Sequence, residues 1–231
     1  MKYEWRKMEK TIYGVKDRPI IVDIPEQDLY APKQKPVIVD VPKQKFIIIN
    51  GEGNPNESDF SDRISALYSL AYAIKMLFKN MSKTKADNEI TDFTVYPLEG
   101  IWKRADGEGF DKDKLKYRLM IKQPDFITKD VFTEAFNNVK KKKPNILYDE
   151  ISFEEIEDGK SIQILHIGSY DNESESFEMM DKLANESNLI RTADYHREIY
   201  LTSKAVTEKQ KTILRYMVWI KEKIRRYLLL Q

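Results

Sequence analysis

The sequence predicts an α+β fold in which a strand-helix-strand-strand module occurs twice and the strands form an antiparallel sheet. Apolar residues recur at steps of three and four in long segments, which indicates amphipathic helices. Shorter segments alternate between apolar and polar residues, or are apolar throughout, which is typical of strands. The order of these segments in the first half of the chain is repeated in the second half. We therefore expect one domain built from two fused modules.

The predicted domain spans residues 36–218 and lies between two shorter segments. In chain order we expect an extension at 1–35, module one at 36–122, a linking helix at 128–142, module two at 150–218 and a basic amphipathic tail at 219–231. With 231 residues, of which 41% are hydrophobic and 33% charged, the chain is long enough to bury a core. A disordered chain is excluded.

A short duplication precedes module one and continues into it. RPIIVDIPEQ at 18–27 matches KPVIVDVPKQ at 35–44, with Pro19 and Pro36 standing 17 residues apart. Prolines flank both copies, and proline favours edge strands because it cannot donate a ladder hydrogen bond. We expect one copy to start the fold and the other to cover an edge or exchange partners, and both are candidates for an edge-to-edge homodimer.

Module one begins with a buried strand at 44–51, since FIII at 46–49 is apolar on both faces. A helix at 57–80 follows, and then an antiparallel pair at 91–102 and 115–122. The apolar stripe of the helix consists of Phe60, Ile64, Leu67, Ala71, Ile74 and Phe78.

The linking helix is capped by Thr128 and ends in four lysines at 140–143 before Pro144. Cations complement the dipole at a helix C-terminus. We therefore favour a solvated helix end over a nucleic-acid patch.

Module two repeats the plan of module one. We expect a hairpin of 151–157 and 161–168 about Asp158-Gly159, a helix that starts at 172–174 and carries Phe177, Met180, Leu183 and Ala184, and closing strands at 195–201 and 212–218. The last segment also fits a helix with a capping box at Thr207 and Gln210, but we favour the strand.

Composition narrows the functional class. Lys and Arg number 39 against 38 for Asp and Glu, so the net charge is +1 and no global field attracts nucleic acid or a membrane surface. The chain has no cysteine, which suits a reducing compartment, and lacks both a signal-peptide pattern and the run of about 18 apolar residues needed to span a membrane. We expect a soluble cytoplasmic protein that binds neither nucleic acid nor membranes directly.

The strand YHREIYL at 195–201 is the most informative segment for function. Period-two alternation places His196, Glu198 and Tyr200 on one face. If this face lines an apolar cleft, Glu198 becomes a desolvated carboxylate available to a cationic ligand or to proton transfer. If it faces solvent, Glu198 is an ordinary surface acid.

Two further clusters contain candidate site residues. In HIGSY at 166–170, Gly168 lets backbone or a ligand come close, and Tyr170 precedes a helix N-terminus. A histidine at the edge of the core and a tyrosine in a turn also explain the pattern. YPLEGIW at 96–102 should bulge at its proline and glycine and could direct Tyr96 and Trp102 toward Tyr68 and Tyr72, although an ordinary aromatic core is the default.

Several chemistries have no motif in the chain. There is no phosphate-binding GxxxxGK[ST] loop, no GxGxxG after a strand and no GxSxG elbow. Neither of the two histidines belongs to an HExxH motif. We expect no metal and no other cofactor.

Four segments in order carry a family resemblance: YPLEGIW at 96–102, HIGSY at 166–170, HREIYL at 196–201 and KTILR at 211–215. Over about 36–218 the chain resembles the GyrI-like small-molecule-binding family and is most similar to its stand-alone bacterial members. The resemblance implies duplicated modules whose two helices flank a central cleft for flat, apolar, often cationic compounds. The family includes effector domains of multidrug-sensing transcription activators, a gyrase inhibitor, and hydrolases that open the cyclopropane of DNA-alkylating natural products.

The resemblance also implies a binding site. The family's central glutamate matches Glu198, and its cleft aromatics correspond to Tyr68, Tyr96, Trp102, Tyr170 and Tyr200. With their neighbours Tyr72, His166 and His196, these are the expected ligand-binding residues. Two features depart from the family: no helix-turn-helix precedes the domain, which argues against a complete transcription factor, and the duplicated prolyl segment before Pro36 is not part of its pattern.

Three functions remain open. The chain binds planar cationic or apolar molecules in an aromatic cleft, as a sensor or sequestering protein. Alternatively it hydrolyses cyclopropane-bearing electrophiles, with Glu198 as base and Tyr170 or Tyr68 as proton donor. In the third case it contacts a protein such as gyrase through an acidic face, and the cleft is idle.

Overall fold

The computed structural model describes residues 2–5, 35–84, 90–103, 112–202 and 206–221. The strands are β1 (Lys2–Tyr3), β2 (Val37–Val41), β3 (Gln44–Glu52), β4 (Asp92–Phe93), β5 (Leu98–Lys103), β6 (Lys116–Gln123), β7 (Ser152–Ile156), β8 (Gly159–Ile167), β9 (Leu189–Arg191), β10 (Tyr195–Tyr200) and β11 (Lys211–Ile220). The helices are α1 (Ser58–Met81), α2 (Lys129–Lys142) and α3 (Glu173–Glu186). The α+β fold class is confirmed.

The chain divides into two compact units, each of which contains strands and at least one helix. The first contains residues 2–5 and the described part of 44–156, and the second contains 35–43 and the described part of 157–221. The sequence assigned residues 36–43 to module one, whereas β2 lies in the second unit.

The first unit has the strand order β5-β6-β3-β7, all antiparallel, with a separate parallel pair of β1 and β4. In this register Trp102 lies opposite Tyr117, which lies opposite Gly51. Helix α1 buries Leu67, Ala71, Ile74 and Phe78 of the predicted stripe. It also buries Ala66 and Leu70, whereas Phe60 and Ile64 are only partly buried. Thr128 caps α2 as predicted, because its hydroxyl accepts a hydrogen bond from the Val131 N–H.

The second unit has the strand order β2-β8-β11-β10, again antiparallel, and β9 pairs with the end of β11. In its register Tyr200 lies opposite Thr212, which lies opposite His166. Helix α3 packs on β8 and β11, and its Met180 and Ala184 join the core. This core also contains Ile162, Ile164, Leu189, Leu214, Tyr216 and Val218.

The hairpin predicted about Asp158-Gly159 is wrong. Strand β7 pairs with β3 in the first unit, and β8 pairs with β2 and β11 in the second. Asp158 accepts hydrogen bonds from Arg197 at 2.7 Å and from Arg215 at 3.2 Å, so it is held by β10 and β11 rather than forming a free turn. The boundary between the two units falls here, after Ile156.

Smaller differences concern strand ends. The single strand predicted at 91–102 is divided into β4 and β5, because residues 94–97, which include Pro97, are not in a strand. The last segment is a strand rather than a helix and continues to Ile220, two residues beyond its predicted end. The first copy of the prolyl duplication, the loop at 104–109 and tail residues 222–231 lie outside the described residues.

Candidate functional site

Strand β10 places its side chains in alternation as predicted. Arg197 and Ile199 are buried on one face, while His196, Glu198 and Tyr200 lie together on the other. β10 is held in this register by antiparallel pairing with β11.

Glu198 is a buried carboxylate with two hydrogen-bond donors. Its side chain accepts from the Tyr200 hydroxyl at 2.8 Å and from His196 Nε2 at 2.9 Å. The residue is 7% exposed, so it is not an ordinary surface acid. A His196 that donates through Nε2 can be neutral, with the hydrogen on that nitrogen.

A second carboxylate, Glu173, approaches this cluster from the first residue of α3. Ligand atoms of Glu173, His196 and Glu198 all lie within 4.8 Å of one another. Oxygen Oε1 of Glu173 is buried and has no hydrogen-bond partner among the described residues. Burial, together with the negative charge of Glu198, raises the pKa of Glu173 to about 9. Glu173 therefore carries a proton near neutral pH, although a helix N-terminus by itself favours the charged form.

Aromatic rings surround the two carboxylates. The Tyr170 ring meets the Tyr200 ring edge to face, with centroids 6.2 Å apart, and the His196 ring meets Phe177 in the same way at 4.9 Å. Tyr170 is 46% exposed, and burial and the Glu198 charge raise the pKa of its hydroxyl. The cluster is thus a carboxylate pair with an aromatic border, one side of which is accessible.

His166 hydrogen-bonds to Ser169 and Ser176, which flank Tyr170 and Glu173 in the chain, and its ring nitrogens bond to neither carboxylate. It is 5% exposed, and its ring nitrogens meet the Ser169 carbonyl at 2.9 Å and the Ser176 hydroxyl at 3.0 Å. Both nitrogens therefore have protein partners.

The other four predicted site residues belong to the first unit. The rings of Tyr68 and Tyr72 lie next to each other on α1, with their centroids 6.4 Å apart, and Tyr72 is 54% exposed. Tyr96 is buried and stacks on Trp5. Trp102 packs against Phe60 and Tyr117.

A cavity of about 390 Å³ is also present in the first unit, lined by Glu52, Gly53, Asn54, Glu57, Asp59, Phe60, Asp113 and Tyr117. None of the predicted site residues lines it.

The sequence profile of the GyrI-like small molecule binding domain matches residues 34–221, which is most of the chain. The chain belongs to the GyrI-like family. This confirms the resemblance carried by the four motifs. No match was found among curated proteins.

Three solved structures show what this GyrI-like chain is similar to. A hydrolase from Listeria innocua is 30% identical, with a TM-score of 0.76, and the match covers 94% of this chain and 100% of that protein. An uncharacterized conserved protein from Listeria innocua is 31% identical, with a TM-score of 0.77 and the same coverage. The C-terminal domain of EcmrR is 11% identical, with a TM-score of 0.46, over 80% of this chain and 97% of that domain.

The candidate site contains one carboxylate that sequence reasoning missed. Glu173 was interpreted only as part of a helix start. Its spacing contained a signal, because Glu173, Phe177, Met180 and Ala184 recur at steps of four, three and four. An acidic residue on the core-facing stripe of a helix is unusual and indicates a functional or paired carboxylate.

The hydrogen-bond donors and acceptors of the candidate site indicate which reactions it can support. A protonated Glu173 can donate a hydrogen bond or a proton, and Glu198 can accept one. Glu173, His196 and Glu198 also form the one group of potential metal ligands found in the described part of the chain. The expected absence of a metal stays a prediction.

None of the helices described combines the length and apolar character needed to cross a bilayer.

Proposed function

We propose that this chain binds flat, apolar, cationic small molecules at the carboxylate pair Glu173–Glu198, against the rings of Tyr170 and Tyr200. The observation that carries the proposal is the charge arrangement of the pair. Among the described residues neither carboxylate forms an ion pair with Lys or Arg, and a proton on Glu173 takes the place of a counter-charge. An organic cation can replace that proton.

Shape selection comes from the aromatic border. A planar ligand stacks on tyrosine faces with little loss of conformational freedom, and a cation over such a face gains electrostatic energy from the ring quadrupole. The carboxylates supply the charge preference. The first-unit aromatics Tyr68, Tyr72, Tyr96 and Trp102 stay in the proposal as predicted ligand contacts.

Binding can be tested with a panel of planar cationic dyes and a neutral dye of matched shape. We expect Glu198→Gln to weaken binding of the cations about tenfold or more, because the variant removes the charge and leaves the size unchanged. Binding of the neutral dye should change less than about threefold. The control is Glu178→Gln, an exposed acid on the same helix as Glu173. Equal loss for charged and neutral dyes, or no loss, would contradict the proposal.

A second function, hydrolysis, is favoured by a specific observation. The Listeria innocua protein that is 30% identical over its full length is a hydrolase. The pair also offers a proton donor and an acceptor, which acid-base catalysis needs. Glu173, whose pKa is raised to about 9, holds a proton that it can donate, and Glu198, which accepts hydrogen bonds from His196 and Tyr200, is placed to act as base.

The hydrolytic step balances with water alone. Glu173 donates its proton to the carbonyl oxygen conjugated with a strained cyclopropane, one cyclopropane carbon–carbon bond breaks, and its electrons move to the carbonyl. A water oxygen bonds to the released carbon while Glu198 accepts a proton from that water. Tyr170 and Tyr68, the proton donors predicted from the sequence, are the alternatives to Glu173 as the group that protonates the carbonyl oxygen.

Incubation with a cyclopropane-bearing alkylator separates these functions. Product formation that falls about 100-fold in Glu198→Gln supports hydrolysis. Comparing Glu173→Gln with Tyr170→Phe and Tyr68→Phe then identifies the donor. Dye binding without turnover supports the binding function alone, and the absence of both supports the protein-contact alternative.

A further inference from the structure

The buried histidine of the HIGSY motif has no capacity left for a ligand. His166 Nε2 lies 2.9 Å from the Ser169 carbonyl oxygen, which can only accept, so Nε2 carries the hydrogen. Nδ1, 3.0 Å from Ser176 Oγ, then accepts from the serine hydroxyl. Both contacts are made by one neutral tautomer.

The two partners of His166 enclose the segment that carries half of the site. Between Ser169 and Ser176 lie Tyr170 and Glu173. The segment leaves β8 at Gly168, whose φ of 126° suits glycine and whose N–H donates to the Gln210 carbonyl at 3.1 Å. Its first turn is tightened by Ser169 Oγ, which accepts from the Asp171 N–H at 3.3 Å.

The register of the sheet links this segment to the other half of the site. His166 lies opposite Thr212 on β11, and Thr212 lies opposite Tyr200 on β10. Tyr200 donates to Glu198. A group fixed to His166 is therefore fixed relative to Glu198.

We propose that His166 is a positioning residue that holds segment 169–176 against β8 and so sets where Tyr170 and Glu173 lie relative to Glu198. This rests on the proposed function, since it assigns His166 a role at that same site. Displacing one member of a carboxylate pair by about 1 Å is enough to weaken binding or catalysis that depends on both.

Three variants test the role. His166→Phe keeps a ring and removes both hydrogen bonds. His166→Gln keeps one donor and one acceptor on its amide, and Ser176→Ala removes only the hydroxyl partner. The readouts are the dissociation constant of a planar cationic dye and the pKa of Glu173, followed by carbon NMR of its carboxyl group without ligand.

We expect His166→Phe to weaken dye binding about tenfold and to move the pKa of Glu173 at least halfway back toward the ordinary glutamate value of about 4.3. His166→Gln should restore both readouts to near wild type, which a purely space-filling role would not predict. Ser176→Ala should shift both in the same direction by less. The double variant His166→Phe with Ser176→Ala should be no worse than His166→Phe alone, because the two changes remove the same contact.

A folded His166→Phe variant with an unchanged pKa for Glu173 would overturn the proposal. If His166→Phe does not fold, Ser176→Ala decides the question by the same two readouts. If wild type binds no dye, the proposed function fails, and the titration of Glu173 still judges the positioning role by itself.

Discussion

At the scale of single residues, the site depends on two carboxylates that cannot both be charged at low cost. Glu198 keeps its two donors, Tyr200 and His196, while Glu173 has a buried oxygen without a partner. The proton therefore resides on Glu173, whose pKa is raised to about 9 by burial and by Glu198. This difference makes Glu173 sensitive to pH.

The stability of the protein should fall with rising pH because of Glu173. Its pKa is near 4.3 in the unfolded chain and about 9 in the fold, so the folded state binds more protons between these values. The stabilising contribution is fully present below about pH 4 and is lost as pH rises through 9. Glu173→Gln is neutral throughout, so it should gain stability relative to wild type between pH 5 and pH 9, by an amount on the order of 5 kcal/mol.

Urea unfolding at both pH values measures this difference. The matched control is Glu57→Gln at the residue before α1, because Glu57 is exposed and, like Glu173, lies at the start of a helix. A Glu173→Gln variant that gains no more stability between pH 5 and pH 9 than Glu57→Gln would show that Glu173 is ionised in the fold.

Cation binding should strengthen with pH over the same range. A cationic ligand favours the charged form of Glu173, so binding displaces its proton. Between pH 6 and pH 8 we expect affinity for a permanently charged dye to rise by about tenfold or more, and this rise should be absent in Glu173→Gln. Dissociation constants measured by fluorescence at fixed ionic strength give the result. A pH dependence retained in Glu173→Gln would assign it to another group.

At the scale of elements, strands and glycines hold the site and its surroundings in place. Asp158 directly precedes β8 and forms salt bridges with Arg197 of β10 and Arg215 of β11. All three side chains are at most 8% exposed. One acid thus connects three strands of the second unit. The sequence contained no sign of this contact, because it brings together residues 39 and 57 positions apart.

Asp158→Asn should destabilise the fold by about 3 kcal/mol, because it leaves two buried guanidinium groups without their shared acid. Chemical denaturation measures the loss. Asp40→Asn, at an exposed position of β2, serves as the control and should change stability by less than about 0.5 kcal/mol. A loss at Asp158 as small as that of the control would contradict the role of this acid.

Gly51 on β3 is required by the ring of Tyr117 on β6. A methyl group at Gly51 would overlap carbon and oxygen atoms of that ring, and the two residues are direct strand partners. Gly51→Ala should cost about 2 kcal/mol, and much of this loss should disappear in a Tyr117→Ala background. Additive losses in this double-mutant cycle would show that the ring is not the obstacle.

At the scale of the whole molecule, near-neutrality decides which partners the chain attracts. A net charge of +1 predicts no global electrostatic attraction for DNA. The four lysines that end α2 and follow it are the densest basic run in the chain. The homodimer predicted from the prolyl strands stays a prediction, which sedimentation velocity can test.

Duplex DNA should bind weakly, with a dissociation constant above about 10 μM at 150 mM salt. Fluorescence anisotropy with labelled duplex measures it, and glutamine at positions 140–143 is the matched variant. Tighter, salt-dependent binding that is lost in this variant would make α2 a nucleic-acid site.

The sequence predicted most of the elements but fewer of their partners. The stripe from Phe60 to Phe78 and the Thr128 cap are local patterns, and α1 and α2 form where those patterns place them. Strand pairing depends on residues far apart in the chain, which explains why the hairpin at Asp158-Gly159 was wrong while both of its strands exist.

The sequence by itself determined the family, the alternation that places Glu198 between His196 and Tyr200, and the aromatic segments near it, because each depends on neighbouring positions. Only the tertiary structure decided that Glu173 lies beside Glu198, that burial and this proximity keep a proton on Glu173, and that both ring nitrogens of His166 are hydrogen-bonded, to Ser169 and Ser176. Charge and hydrogen-bond state depend on distances across the fold and on exclusion from water. A single sequence records neither.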